Sequence, residues 1–245
     1  YANEALIKRT LLDFNIRVFT ISLVQFLGYR HNIRNIAEFC KKRNILLVVD
    51  GIQATGVSPV DVQEMGIDFL STGNQKWLMS PAGLGFTYIS KKYRELIMPS
   101  YAGTTNVNYD FEHFLDYKLD FKQTGEAYEN STLNTLAMIG TNEVLNYFME
   151  LGVQNIFDHI IDIQNRLIEL LDKDKYKIES VLSPENRSTI MIFSHVDSTR
   201  NKEIQKILEE KKIYIALREG YLRLSPHIYN NYSDVEKLAD ALNAF

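Results

Sequence analysis

The stretch Asp68-Phe-Leu-Ser-Thr-Gly-Asn-Gln-Lys76-Trp-Leu-Met-Ser-Pro-Ala-Gly-Leu-Gly-Phe86 decides the reading of this chain. An apolar start from Ile67 to Leu70 runs into small and polar residues, one lysine, one tryptophan, Pro81 and the close pair Gly83 and Gly85, and a second apolar run follows. The pattern predicts a strand, an irregular turn that displays Lys76, and a second strand. With no helix between them, the two strands are predicted to be antiparallel. A lysine held in a tight turn between buried strands suits a Schiff-base nucleophile, because desolvation lowers its pKa and frees the amine. A lone lysine in a loop is ordinarily a solvated surface residue, so the weight falls on its neighbours.

Upstream, Arg17-Val-Phe-Thr-Ile-Ser22 is β-rich and poor in charge, as expected of a strand covered on both faces. A helix is predicted from about Ile33 to Lys42, with Ile33, Ile36, Ala37 and Cys40 on one face. Ile45-Leu-Leu-Val-Val49 then runs into Asp50. Strand, helix and strand with short connections make a right-handed βαβ unit with parallel strands. Ligands gather at the carboxyl ends of such strands, which is where Asp50 and the segment beginning at Gln25 fall. A carboxylate ending a buried strand needs a partner or a function, since an isolated buried charge is costly. Gln53 lies three residues on and shares the side of Asp50 if the turn is helical. Asp50 and Lys76 would then sit at the edges of neighbouring strands. An aspartate facing a lysine suits pyridoxal 5′-phosphate, with the lysine as the aldimine partner and the carboxylate keeping the ring nitrogen protonated. A structural salt bridge between strand ends is the competing reading of this pair.

Composition sets bounds on the rest. The chain has 245 residues, 24% of them charged, and a formal net charge of −4, which lacks the clustered positive charge of a nucleic-acid or anionic-membrane binder. A single cysteine, Cys40, excludes an internal disulfide and a cysteine-based metal cluster and points to a reducing compartment. The five histidines show no ligand spacing, so no metal site is expected. No run of some 18 apolar residues is present and the start lacks a signal-peptide layout, so the expected location is the cytoplasm. Tyr1 to Asn15 read as part of an amphipathic helix, as though the chain were entered partway through a longer protein.

Residues Lys91 to Gly125 are mostly irregular, and a loop of that length is usually functional or contact-forming. A long helix is predicted from about Thr132 to Gly152, with Leu133, Leu136, Ile139, Val144, Leu145 and Phe148 at helical spacing. Asn130, Ser131 or Thr132 is its expected N-cap. A further helix over about 155–171 precedes alternating strands and helices, the last opening on a capping box at Ser233-Asp-Val-Glu236. The expected division is a large domain over 1–145 and a smaller C-terminal α+β domain over 146–245.

Taken with these elements, Asp50-Gly-Ile-Gln-Ala-Thr-Gly56, Asp68-Phe69 and Gln75-Lys-Trp-Leu-Met-Ser-Pro-Ala-Gly-Leu-Gly85 resemble the signature of the class V aminotransferases. These are fold type I pyridoxal-phosphate enzymes that include cysteine desulfurases, kynureninase and an isopenicillin-N-epimerase-like group. The resemblance implies an α/β architecture: a mostly parallel sheet of the large cofactor domain, incomplete here, followed by a smaller α+β domain. It implies that Lys76 carries pyridoxal 5′-phosphate, Asp50 pairs with the ring nitrogen, Gln53 bonds the ring hydroxyl, and Ser71 or Thr72 contacts the phosphate. Tyr128-Glu-Asn-Ser-Thr-Leu-Asn134 is similar to a family segment whose threonine, here Thr132, reaches the phosphate in the other subunit, which implies a homodimer with a shared active site. Leu217-Arg-Glu-Gly-Tyr-Leu-Arg-Leu-Ser-Pro-His-Ile-Tyr-Asn230 is similar to the C-terminal motif of the epimerase-like branch. There Arg223 would grip the α-carboxylate of a small amino-acid substrate; Arg218 has a less definite place, and Gln25 is a second candidate substrate contact.

Gln75 stands where the family usually has a histidine beside the lysine, and a glutamine cannot titrate. The resemblance corresponds to the later two-thirds of a typical member, so the glycine-rich phosphate loop and the aromatic residue that stacks on the ring are expected to lie outside this chain, and the chain by itself is expected to bind cofactor poorly. Cys40 lies on the apolar side of a helix and reads as a core residue, away from the loop position where a desulfurase carries its sulfur-accepting cysteine. The expected activity proceeds through an external aldimine to transamination, racemisation or elimination. The alternative is a non-catalytic relative that serves as a dimerising or binding module.

Overall fold

In a computed structural model that describes residues 3–113 and 115–245, the chain forms two four-stranded sheets with helices around them. Helix α1 (Glu4–Asp13) is capped by Asn3, whose side chain accepts from the Leu6 N–H. Strand β1 (Val18–Ser22) leads through a loop to α2 (Ile33–Lys41) and back to β2 (Leu46–Asp50), parallel to β1 as expected of the βαβ unit. The stripe Ile33, Ile36, Ala37 and Cys40 is buried, and each large apolar side chain so placed contributes about 1.5–3 kcal/mol. Asn32 caps α2 by accepting from the Asn35 N–H at 3.1 Å.

Strand β3 (Phe69–Gly73) runs parallel to β2, and β4 (Gly85–Ile89) returns antiparallel to β3, giving the order β1-β2-β3-β4. The Asp68 carboxylate accepts from the Leu47 N–H at 2.9 Å and fastens the entry to β3 against β2. One face of this sheet is core: Phe19, Ile21, Leu47, Val49 and Leu70 pack with α2. The other face is open, with Val18, Thr20 and Ser71 exposed. This corrects the expectation that the first strand is covered on both faces: Val18 and Thr20 of β1 are exposed there, and the short helix Lys91–Arg94 reaches that side only at β3, where the Tyr93 ring lies 5.7 Å from the Phe69 ring.

A short helix α3 (Lys91–Arg94) opens the irregular segment. Helix α4 (Thr135–Leu151) begins three residues later than predicted, and its N-cap is Asn134, whose side chain accepts from the Ala137 N–H at 3.1 Å. Asn134 is as strong a cap as the three upstream candidates. Its buried face is Ala137, Thr141 and Phe148, while the predicted apolar residues Leu136 and Ile139 are exposed. Gly152, at φ +80°, joins α4 to α5 (Val153–Leu170).

The second sheet has the order β5-β6-β8-β7, built from β5 (Tyr176–Ile178), β6 (Met191–His195), β7 (Ala216–Arg218) and β8 (Tyr221–Leu224), all antiparallel to their neighbours. Helices α6 (Asn201–Glu210) and α7 (Tyr232–Asn243) pack on it. The capping box of α7 is Asn231 with Asp234, two residues earlier than predicted, because Asn231 receives the Ser233 and Asp234 N–H groups while Asp234 accepts from the Asn231 N–H. Two apolar cores result. Ile156 and Ile160 of α5 belong to the first, Ile163 and Leu167 to the second, so the cores part within α5; the expected boundary at 145/146 falls earlier, within α4.

Candidate active site

The register of the parallel pairs β1–β2 and β2–β3 and of the antiparallel pair β3–β4 brings Ser22, Asp50, Ser71 and Thr87 into one row across the four strands, on the open face of the sheet. Ser22 Oγ donates to Asp50 Oδ2 at 3.1 Å, and the Ile52 N–H donates to Oδ1 at 2.9 Å. Asp50 is half-buried and, among the described residues, forms no ion pair, so no salt bridge with Lys76 is present. Ser71 shares a hydrogen bond with the Thr87 hydroxyl at 2.9 Å. Thr72 points the other way, into the core face, with its hydroxyl 3.4 Å from the Gly73 carbonyl. The alternation of side chains along a strand thus separates the two phosphate candidates.

The turn carrying Lys76 is closed by the Ser80 N–H to the Asn74 carbonyl at 3.1 Å and the Met79 N–H to the Lys76 carbonyl at 3.0 Å. Met79 takes φ +49° and Gly83 φ +91°. Asn74 is buried and donates from Nδ2 to the Thr141 hydroxyl of α4 at 3.2 Å, which pins the turn to that helix. Gly85 admits no side chain, since a Cβ there would lie 2.3 Å from the Thr72 carbonyl oxygen. Lys76 itself is exposed, as is Gln75. The expected desolvation of the lysine is therefore not supplied by the described residues. Gln75 folds back over Gly73, where a Cβ would meet its amide oxygen at 2.6 Å.

Gln53, in the turn after β2, accepts at Oε1 from the Trp77 indole N–H at 3.0 Å, leaving its Nε2 group as a donor. Trp77 stacks on His227 at 5.5 Å between ring centroids, and His227 Nε2 lies 2.9 Å from the Trp77 carbonyl oxygen. From the sequence alone His227 had no assigned role, since the histidines show no ligand spacing. Its position in the C-terminal motif was legible; its contact with a residue 150 positions earlier in the chain was not.

Gln25 sits in the tight turn after β1, and its Nε2 is 3.0 Å from His31 Nε2. That turn docks on the second unit through the Ser188 hydroxyl to the Gly28 carbonyl at 2.7 Å and the Arg30 N–H to the Asn186 carbonyl at 2.9 Å. Burial pushes the pKa values of both His31 and His227 down. Arg223 is in β8 with Leu222 and Leu224 turned to the core on either side of it. It is half-buried, its Nε is buried with no hydrogen-bond partner, and burial, followed by the nearby Arg218 charge, lowers its pKa. Arg218 and Arg223 lie on one face of the β7–β8 hairpin, and neither forms an ion pair with a carboxylate among the described residues. A guanidinium left in that state suits an anionic ligand.

Thr132 is exposed and lines a cavity of about 290 Å³ with Thr105, Lys122 and Ser131. A larger cavity of about 970 Å³ opens between β8 and α7 beside Tyr214 and Tyr229, and contains none of the predicted site residues. Cavity size is therefore no guide to the chemistry; the strand-end geometry is. Cys40 is buried, and burial followed by the Asp68 charge pushes its thiol up to about 11. Among the described residues no cluster of three or more His, Cys, Asp or Glu could hold a metal ion, and no helix is long and apolar enough to cross a membrane.

Residues 6–238 match the family model for aminotransferase class-V. The chain belongs to the class-V aminotransferase family. It is 26% identical over 235 residues to an uncharacterized aminotransferase of Schizosaccharomyces pombe, covering 94% of this chain and 59% of that one. It is 24% identical over 217 residues to the uncharacterized aminotransferase YcbU of Bacillus subtilis, covering 89% and 56%. The chain therefore spans somewhat over half the length of these class-V relatives. A mutant of the lyase C-DES, solved with glycine covalently linked to its pyridoxal-phosphate cofactor, has the same fold, with a TM-score of 0.86, 20% identity, and coverage of 98% of this chain and 63% of that one.

Proposed function

We propose that the protein is a pyridoxal 5′-phosphate enzyme acting at the α-carbon of a small amino acid, and that this chain supplies Lys76, Asp50, Gln53, Ser71 and Arg223 to the site. The observation that carries this reading is Asp50. It ends a parallel strand, half-buried, with two neutral donors and no cation among the described residues, next in its row to Ser71 and one strand from the Lys76 turn. A carboxylate in that state fits a protonated ring nitrogen. The unpartnered buried Nε of Arg223 fits a substrate carboxylate in the same way.

When bound, the cofactor supplies an electron-withdrawing ring that acidifies the bonds at the α-carbon. The Lys76 amine would be its attachment point and, when free, would hold or deliver a proton at the α-carbon. Asp50 would keep the ring-nitrogen proton in place, the Gln53 Nε2 group would be free to donate to the ring hydroxyl, and Ser71, on the same sheet face as Asp50, would offer a polar contact. Arg223 orients the substrate through its α-carboxylate. Gln75 cannot titrate, so proton movement beside the lysine falls to Lys76 itself. Transamination, racemisation and elimination all begin this way. A persulfide route through Cys40 is disfavoured because that thiol is buried and kept protonated.

The exposure of Lys76 and of the apolar side chains on α4 supports a homodimer in which a partner covers the site and presents its Thr132 to the cofactor phosphate. Borohydride reduction of the whole protein, followed by peptide mass mapping, is expected to place the cofactor on Lys76, and Lys76→Ala to abolish the label. Label on another lysine, or none, would overturn the reading.

A further inference from the structure

We infer that His227 is a positioning residue that fixes the strand carrying Arg223 against the turn carrying Lys76. The inference rests on the functional reading above and extends it to a residue that touches neither substrate nor cofactor. The His227 side chain is buried, and both ring nitrogens are engaged. The Ile228 N–H donates to Nδ1 at 2.8 Å, so Nδ1 is the acceptor and Nε2 carries the hydrogen that is donated to the Trp77 carbonyl at 2.9 Å. The ring lies between Trp77, at 5.5 Å and 24°, and Tyr229, at 5.2 Å and 5°, with Phe148 of α4 tilted against it at 6.1 Å. The His227 backbone N–H donates to Asn230 Oδ1 at 2.9 Å.

What this imidazole holds makes the arrangement functional. The accepting carbonyl belongs to the residue after Lys76, and the indole beneath the ring donates to Gln53. In the other direction along the chain, His227 is four residues from Arg223 in a short segment leaving β8. One side chain therefore ties the backbone beside the cofactor lysine, the residue assigned to the ring hydroxyl, and the strand of the carboxylate-binding arginine. An amino acid bound at both ends needs the lysine and the arginine held at a fixed separation, and displacements of about 1 Å in such a frame cost about a hundredfold in rate. Hydrogen bonds of Gly28 and Arg30 with Ser188 and Asn186 also join the two units, but they hold the Gln25 loop rather than the Lys76 turn.

Two substitutions separate positioning from folding. The amide nitrogen of His227→Gln occupies the place of Nε2 and keeps the bond to the Trp77 carbonyl; His227→Asn reaches only the place of Nδ1 and loses it. Each forfeits one of the two ring hydrogen bonds, so the thermal midpoints of the two variants should be similar. In the whole protein, His227→Asn is expected to raise the amino-acid dissociation constant, read by spectral titration with L-alanine and L-cysteine, about tenfold, and His227→Gln to stay within about twofold of the parent. Hydrogen exchange without cofactor gives a second readout: amides of residues 74–80 should exchange about tenfold faster in His227→Asn, with β1 to β3 unchanged, and return to parental rates in His227→Gln. Equal exchange in the two variants overturns the inference. A parent protein that carries no cofactor on Lys76 overturns the functional reading instead, and the exchange data still decide the role of His227.

Discussion

Arg223 shows how a single side chain expresses the site. A half-buried guanidinium with an unpartnered Nε and a second arginine nearby is electrostatically unfavourable until an anion arrives. Arg223→Gln is expected to weaken amino-acid binding by roughly 10- to 100-fold, the value of about 1.5–3 kcal/mol for hydrogen bonds to charged groups, while cofactor label on Lys76 persists. Spectral titration of the unreduced protein checks the first half, and borohydride reduction with peptide mass mapping checks the second. His31 and His227 make a pH prediction at the same scale. Both have folded pKa values below the ordinary 6.5 because they are buried. Below pH 6.5 the unfolded chain takes up protons that the folded chain refuses, so stability is full above that value and falls as pH drops toward the folded values. The slope is up to about 1.4 kcal/mol per pH unit for each histidine. Denaturant titrations between pH 7.5 and 5 should show the decline, and His31→Gln should flatten it in part.

Elements locate these residues, and their ends matter more than their middles. Lys76, Asp50 and Gln25 were placed by the rule that ligands gather at the carboxyl ends of parallel strands, and the register agrees with the row through Asp50 and Ser71. The alternation along β3 was equally predictable once its bounds were known, yet the apolar run legible in the sequence stops at Leu70 where the observed strand continues to Gly73. That shift explains why Ser71 and Thr72 could not be separated by sequence. The loop after β1 depends on Gly28, at φ +95°, where a Cβ would lie 2.3 Å from the Ile190 carbonyl oxygen. Gly28→Ala is expected to cost about 1–3 kcal/mol through backbone strain and more through the backbone clash. The measurable outcome is a lowered thermal midpoint, together with weaker amino-acid binding if Gln25 contacts the substrate.

For the molecule as a whole, the open sheet face, the exposed Lys76 and the apolar surface of α4 belong together. Leu136 is 81% exposed and Met149 78%, on a helix whose opposite side carries Phe148 into the core. Exposed apolar side chains also run through the irregular segment at Phe111, Tyr117 and Leu119. Apolar surface on that scale suits the homodimer interface proposed above. If that dimer forms through α4, Leu136→Glu with Met149→Glu is expected to shift it to monomer in sedimentation equilibrium at micromolar concentration. Loss of the dimer should also lower cofactor retention if Thr132 of one subunit serves the other.

The sequence by itself determined the βαβ unit and the strand-turn-strand around Lys76, because these follow from local periodicity and short spacings; the family and most candidate site residues were legible through the resemblance of its motifs to the class V aminotransferases. Only the tertiary structure decided which face of β3 meets Asp50, that Lys76 stands exposed, and that Trp77 joins Gln53 to His227. Each of those depends on contacts between segments far apart in the chain, whereas the caps at Asn134 and Asn231 are local and were missed because several good cap residues stand close together at each helix start. Around Lys76 the division is plain: the turn that displays the lysine is local, and what holds that turn against Arg223 is not.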